Sequence, residues 1–262
     1  MIDPASALMA ASAPVVKPPT LAPRVLVLGG GGPLGSAVLE ALLATHRFAG
    51  VGVAAVRRVA PALRALAVVD GSEAEWQALE PDSALIVFDR TRHANGRDEA
   101  FLRPQPQDLL ALATVLRRIG VRRLVVVVPH KTALLPLALR QGLATLDETA
   151  VAALGFEQLV FMRLARDDAG GAEQAWLPRL ASALLRQLHW MVVTAEQPVR
   201  DATVARLLGA LLLALPKATG ATRVLPAVLP WLVAQGEDAD AVVDRWLATG
   251  QVPELRAAPR RW

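Results

Sequence analysis

From Arg24 onward, short apolar runs rich in β-branched residues alternate with longer stretches in which apolar positions return every three or four residues. That alternation marks a parallel sheet with helices packed on both faces. The predicted strands are Val25–Leu28, Val51–Val56, Ala65–Val69, Ala84–Phe88, Leu124–Val128 and Leu159–Arg163. Leu124–Val128 is apolar throughout rather than at every second position, as a strand buried on both faces requires. Predicted helices fill the intervals: Leu34–Ala44, Gln105–Ile119, and a segment within Leu135–Leu154 that contains Gly142. After Arg163 the pattern becomes mainly helical. Gly170-Gly171 marks a loop, Leu177–Leu188 reads as an amphipathic helix, and Ala202–Leu215 as another, with Asp201 as its cap and Pro216 beyond its end. A last helix follows Gly236, capped by Asp238 or Asp240, burying Val242, Val243, Trp246 and Leu247, and stopped by Gly250.

The expected fold class is therefore α/β, a Rossmann-type doubly wound parallel sheet with a small helical C-terminal region at about residues 171–250. Residues 24–250 read as one domain without internal repeat or linker. Met1–Pro23, rich in Ala, Pro and Ser, reads as a disordered leader, and residues 251–262 as a basic tail. The leader lacks the basic start and apolar block of a secretory signal, so a cytoplasmic location is expected.

Composition narrows the chemistry. Hydrophobic residues make up 53% of the 262, and the mean hydropathy is +0.37. The most apolar stretch, Leu207–Leu215, lies between Arg206 and Lys217 and falls well short of the roughly 18–20 residues that span a bilayer. A buried helix is expected there, and no membrane partner. The chain has no cysteine, and His46, His93, His130 and His189 lie at no metal-ligand spacing, so no metal is expected. The net charge of +4 comes from arginines spread along the chain. Nucleic acid is not expected as a partner.

One motif carries specific chemistry. Strand Val25–Leu28 runs into Gly29-Gly30-Gly31-Gly32-Pro33-Leu34-Gly35, which fits G-x-G-x-x-G at Gly30, Gly32 and Gly35, and the looser G-x-x-G-x-x-G at Gly29, Gly32 and Gly35. Between a strand and a helix, such a turn brings the backbone close to a pyrophosphate and aims the free N–H groups of the helix at it. Arg57-Arg58 end the second strand, where a guanidinium suits the 2′-phosphate of NADP(H) and an acidic residue would suit NAD(H). NADP(H) is the expected cofactor, with NAD(H) the alternative. Asp70, after the third strand, is a candidate for the adenine amino group.

With these residues placed, the chain resembles an atypical short-chain dehydrogenase/reductase and, within that superfamily, the Tat-interacting-protein type of oxidoreductase. The resemblance spans roughly Arg24 to Leu215. It rests on the glycine turn with Pro33 and Leu34, on Val56-Arg57-Arg58, Thr91-Arg92 and Phe101, and continues through Glu148, Gly155-Phe156-Glu157 and Phe161-Met162-Arg163. It implies a tyrosine general acid, a lysine four residues later, and a serine from the end of strand five. The chain contains no tyrosine. The matching positions hold Arg140 and Ala144, and the strand ends in Val128-Pro129. Asp89 stands where the family has a glycine, which puts a carboxylate near the expected cofactor ribose.

His130 and Lys131 follow strand five and are the candidates for replacement acid–base chemistry. No G-x-S-x-G elbow is present. Three readings stand: a dinucleotide-sensing pseudoenzyme that acts through a protein partner or a homo-oligomer, an NADPH-dependent oxidoreductase with non-standard acid–base residues, and a structural subunit in which even the nucleotide is lost.

Overall fold

A computed structural model describes residues 22–57, 66–89, 98–130, 145–165, 199–220 and 222–251. Within them lies a seven-stranded, wholly parallel sheet: β1 (Arg24–Leu28), β2 (Gly50–Ala54), β3 (Leu66–Val69), β4 (Ser83–Val87), β5 (Arg123–His130), β6 (Gln158–Ala165) and β7 (Thr222–Leu225). The strand order is β3-β2-β1-β4-β5-β6-β7. The order reverses between β1 and β4, which makes the carboxyl edge there the switch point of a Rossmann-type sheet.

The period of two along each strand sorts the core into two layers. Val25, Val27, Val51, Val53, Leu85 and Val87 face one side. They meet α1 (Pro33–Thr45), α5 (Asp201–Ala214), α6 (Val228–Ala234) and α7 (Ala239–Thr249). Leu26, Leu28, Ala84, Ile86, Leu124 and Val126 face the other. There they pack against α2 (Glu73–Ala78), α3 (Leu109–Arg118) and α4 (Leu146–Ala152). Helices on both faces explain why β1 and β4 are apolar at nearly every position.

Several expectations shift. β2 ends at Ala54 rather than Val56, because Ala55 bridges antiparallel to Phe101, and Val56 is exposed. β5 runs past Val128 to His130, so His130 is its last residue rather than the first after it. Arg200, not Asp201, holds the N-cap position of α5, and Asp201 is its first residue. In α7 the cap is Asp238, whose Oδ2 accepts from the Ala241 N–H at 3.0 Å, and Gly250 closes the helix in the left-handed region at φ 65°. Gln105–Ile119 splits into a 3-10 turn at Pro106–Asp108 followed by α3. Strand β7 and helices α2 and α6 were not anticipated. The predicted helix Leu177–Leu188 and Gly142 lie outside the described residues, as do nearly all of the leader and of the tail. No described helix is long and apolar enough to cross a membrane.

One buried ion pair joins α4 to β6. Arg163 Nη2 donates to Glu148 Oε2 at 2.7 Å, and both side chains are at least nine-tenths buried. Glu148→Gln removes the charge that this buried guanidinium faces, so it is expected to lower stability, by up to about 3–5 kcal/mol in denaturant melts. Gly209 is an interior position of α5 where, among the described residues, a Cβ would meet Leu42 Cδ2 at an ordinary contact distance of 3.8 Å. Gly209→Ala should therefore raise stability by about 0.5–1 kcal/mol, seen as a higher melting temperature.

Candidate functional site

The glycine turn lies at the switch point, between the end of β1 and the start of α1. Gly29 has φ +100°, and a Cβ there would stand 2.1 Å from the Val87 carbonyl oxygen. Gly30 lies over β2, its Cβ position 2.6 Å from Val53 Cγ2. Gly35 lies one helical turn into the motif, with its Cβ position 2.0 Å from the Gly29 carbonyl oxygen. The turn thus presses the first turn of α1 onto β1 and β4, a fit that depends on bare backbone at Gly29 and Gly35.

The helix end itself can be accounted for donor by donor. The N-cap is Gly32, which has no side chain to accept a hydrogen bond, and the first turn carries no acidic residue. Pro33 occupies the first helical position and has no N–H. The Ser36 N–H already closes the first helical hydrogen bond, to the Gly32 carbonyl at 2.8 Å. Leu34 and Gly35, the second and third helical residues, keep N–H groups with no acceptor within the helix. Both point at one oxygen, Asp89 Oδ2, at 2.7 Å and 3.3 Å.

Asp89 therefore sits at the positive end of α1. It follows β4 by two residues and reaches across to the neighbouring β1–α1 turn. The cleft in front of it measures about 240 Å³ even counting space open to solvent. Gly29, Gly31, Gly32, Val87, Asp89, Arg103 and Pro104 line it.

Arg103 and Pro104 belong to a strap not anticipated from the sequence. It crosses the carboxyl edge of β2 through the Ala55–Phe101 bridge and the hydrogen bonds Val56 N–H to Ala100 O (2.8 Å) and Leu102 N–H to Ala54 O (2.9 Å). The signal for it in the sequence was only the short apolar run Ala100-Phe101-Leu102 before Pro104 and Pro106.

The other candidates scatter. Arg57 is exposed beyond the end of β2, and its N–H reaches the Ala100 carbonyl at 3.4 Å. Arg58 lies outside the described residues. Asp70 is engaged with the start of α2: its Oδ1 accepts from the Ser72 N–H (2.9 Å), its N–H donates to Glu75 Oε2 (2.7 Å), and its carbonyl accepts from Trp76 Nε1 (2.8 Å). His130 closes β5 opposite Ala165, at the carboxyl edge but two strands away from the turn. Lys131, Arg140 and Ala144 lie outside the described residues. Among the described residues, no group of three metal-ligating side chains comes together.

With that geometry in hand, comparison with known proteins gives a likeness of fold. The chain is similar to UDP-glucose 4-epimerase from Brucella ovis, solved in complex with NAD, at 17% identity and a TM-score of 0.45, covering 85% of this chain and 81% of that one. It is similar to the Bordetella bronchiseptica enzyme WbmF, solved with NAD+, at 16% identity and a TM-score of 0.42, covering 92% and 82%. The WbmH enzyme of the same organism, also solved with NAD+, gives 16% and 0.42, covering 78% and 75%. No family model and no curated protein matches the sequence.

As a test for a dinucleotide, the site divides in two. The backbone frame fits: strand, glycine turn and helix stand in the required order at the switch point. The helix-end donors do not fit while Asp89 holds them. The frame itself is open to a direct check. Gly35→Ala drives a methyl group into backbone that cannot yield, so it should cost about 1–3 kcal/mol or more in thermal melts.

Proposed function

We propose that this chain is a dinucleotide-binding Rossmann protein related to the short-chain dehydrogenases/reductases, and that its function is nucleotide-dependent binding rather than hydride transfer. The observation that carries the reading is the β1–Gly29–Gly35–α1 unit at the switch point of the sheet, in a chain that has no tyrosine. The first provides a backbone cradle for a pyrophosphate. The second removes the proton donor on which the resembled reductases rely.

NADP(H) is preferred over NAD(H) in this reading. Exposed Arg57, just past the carboxyl end of β2, supports it, since a guanidinium pairs well with a terminal phosphate. When bound, the nucleotide would supply a hydride, but the chain offers no tyrosine to deliver the matching proton. Occupancy is then the output, read by a protein partner or by a second copy of the chain.

Titration of the purified protein with NADPH and NADH, following tryptophan quenching and nicotinamide fluorescence together, tests this. The expected result is saturable NADPH binding without consumption. Arg57→Ala should weaken NADPH binding about tenfold, within the span of one charge-assisted contact, and leave NADH nearly unchanged. Equal losses for the two nucleotides would remove the phosphate role of Arg57. Steady NADPH oxidation with a carbonyl or quinone, lost in His130→Ala, would replace the binding function with an oxidoreductase one.

A further inference from the structure

The Asp89 carboxylate accepts from two N–H groups at the start of α1, those of Leu34 and Gly35. No acceptor on α1 itself competes for them. Gly32 lacks a side chain, and the first turn has no acidic residue. The position is also sterically specific. A Cβ on Gly32 would lie 2.2 Å from Asp89 Oδ2 and 2.7 Å from Asp89 Cβ, so the absence of a side chain at Gly32 is what admits the aspartate. A carboxylate and a phosphate want the same thing from a helix N-terminus, N–H donors and the positive end of the dipole, and two anions cannot share it.

We infer that Asp89 is a resident anion in the nucleotide site: it occupies the pyrophosphate position, and a nucleotide phosphate binds by displacing it. This rests on the dinucleotide reading above and adds what controls access to the turn. The chemical class of the displacing ligand is a nucleotide diphosphate group. Arg103 and Pro104 line the same cleft as Asp89.

The inference sets two properties against each other in one residue. Without ligand, the carboxylate caps α1 and stabilises the fold; toward a phosphate it is a competitor. Wild type, Asp89→Asn and Asp89→Ala are compared in the full chain by calorimetric titration with NADPH and with adenosine, and by melting without ligand. Asparagine keeps an acceptor oxygen of the same shape but drops the charge, so it decides the matter if Asp89→Ala does not fold. The expected result is NADPH binding about tenfold or more tighter in both variants than in wild type. Adenosine, which has no phosphate, should gain nothing. The melting temperature should fall from wild type through asparagine to alanine.

Measurable NADPH binding of equal or lower affinity in the variants overturns the inference and leaves the nucleotide reading standing. An equal gain for adenosine also overturns it, since the obstruction would then not be specific to phosphate. No binding of NADPH to any of the three at about 1 mM overturns the inference and the nucleotide reading together.

Discussion

Two backbone N–H groups at the start of α1 need an acceptor, and the way that need is met organises this end of the molecule. The glycines that let α1 press onto the sheet also strip its first turn of any local cap, and Pro33 pre-sets the first residue while offering no donor of its own. Leu34 and Gly35 are left with donors at the positive end of a thirteen-residue helix. An acceptor from elsewhere must satisfy them. In this chain it comes from Asp89, two residues beyond β4, the strand that neighbours β1 across the switch point.

The rest of the architecture holds that contact in place. β1 and β4 pair in parallel from Val25↔Ser83 to Leu28↔Ile86, which fixes where the chain leaves β4 relative to the turn. α1 cannot drift from the sheet, because Val38, Leu39 and Leu42 are buried in the same layer as α5, α6 and α7. On the opposite face, α2, α3 and α4 bury Trp76, Leu116 and Val151 against the other set of strand residues. The helices of the C-terminal region are thus part of the core that supports the turn. Trp246 of α7 is buried there, with Arg223 of β7 5.8 Å from its ring centre.

On the proposed reading, the two departures from the resembled reductases are related. A protein that performs hydride transfer needs an open cofactor site and a proton donor beside it; one that responds to occupancy needs neither to be permanently ready. Asp89 makes the ligand-free state a defined, capped conformation, and the energy that a phosphate gains at the helix end is partly spent on removing the carboxylate. Binding and conformation are then coupled through one side chain, which is the minimum a nucleotide-responsive switch requires.

Much of this was legible in the sequence, and the divide follows the range of the interactions. The β-branched runs of β1, β4, β5 and β6, the glycine turn between β1 and α1, the buried face of α7 and its Gly250 stop all depend on a few consecutive residues, so periodicity and turn chemistry identify them. Strand β7 is four residues at the sheet edge with a mixed burial pattern, and α2 is six residues long; neither has enough local signal to stand apart from a loop. Arg103 and Pro104 reach the cleft only because Phe101 bridges to Ala55. Asp70 and Asp89 look alike in the sequence, each an aspartate just after a strand. Asp70 turns to its own next helix, whereas Asp89 crosses to a helix 55 residues earlier. The sequence alone determined the layer order, the turn and the absence of a tyrosine, because those are properties of neighbours along the chain. Only the tertiary structure decided which anion the turn receives, because the register of β1 against β4 sets that distance.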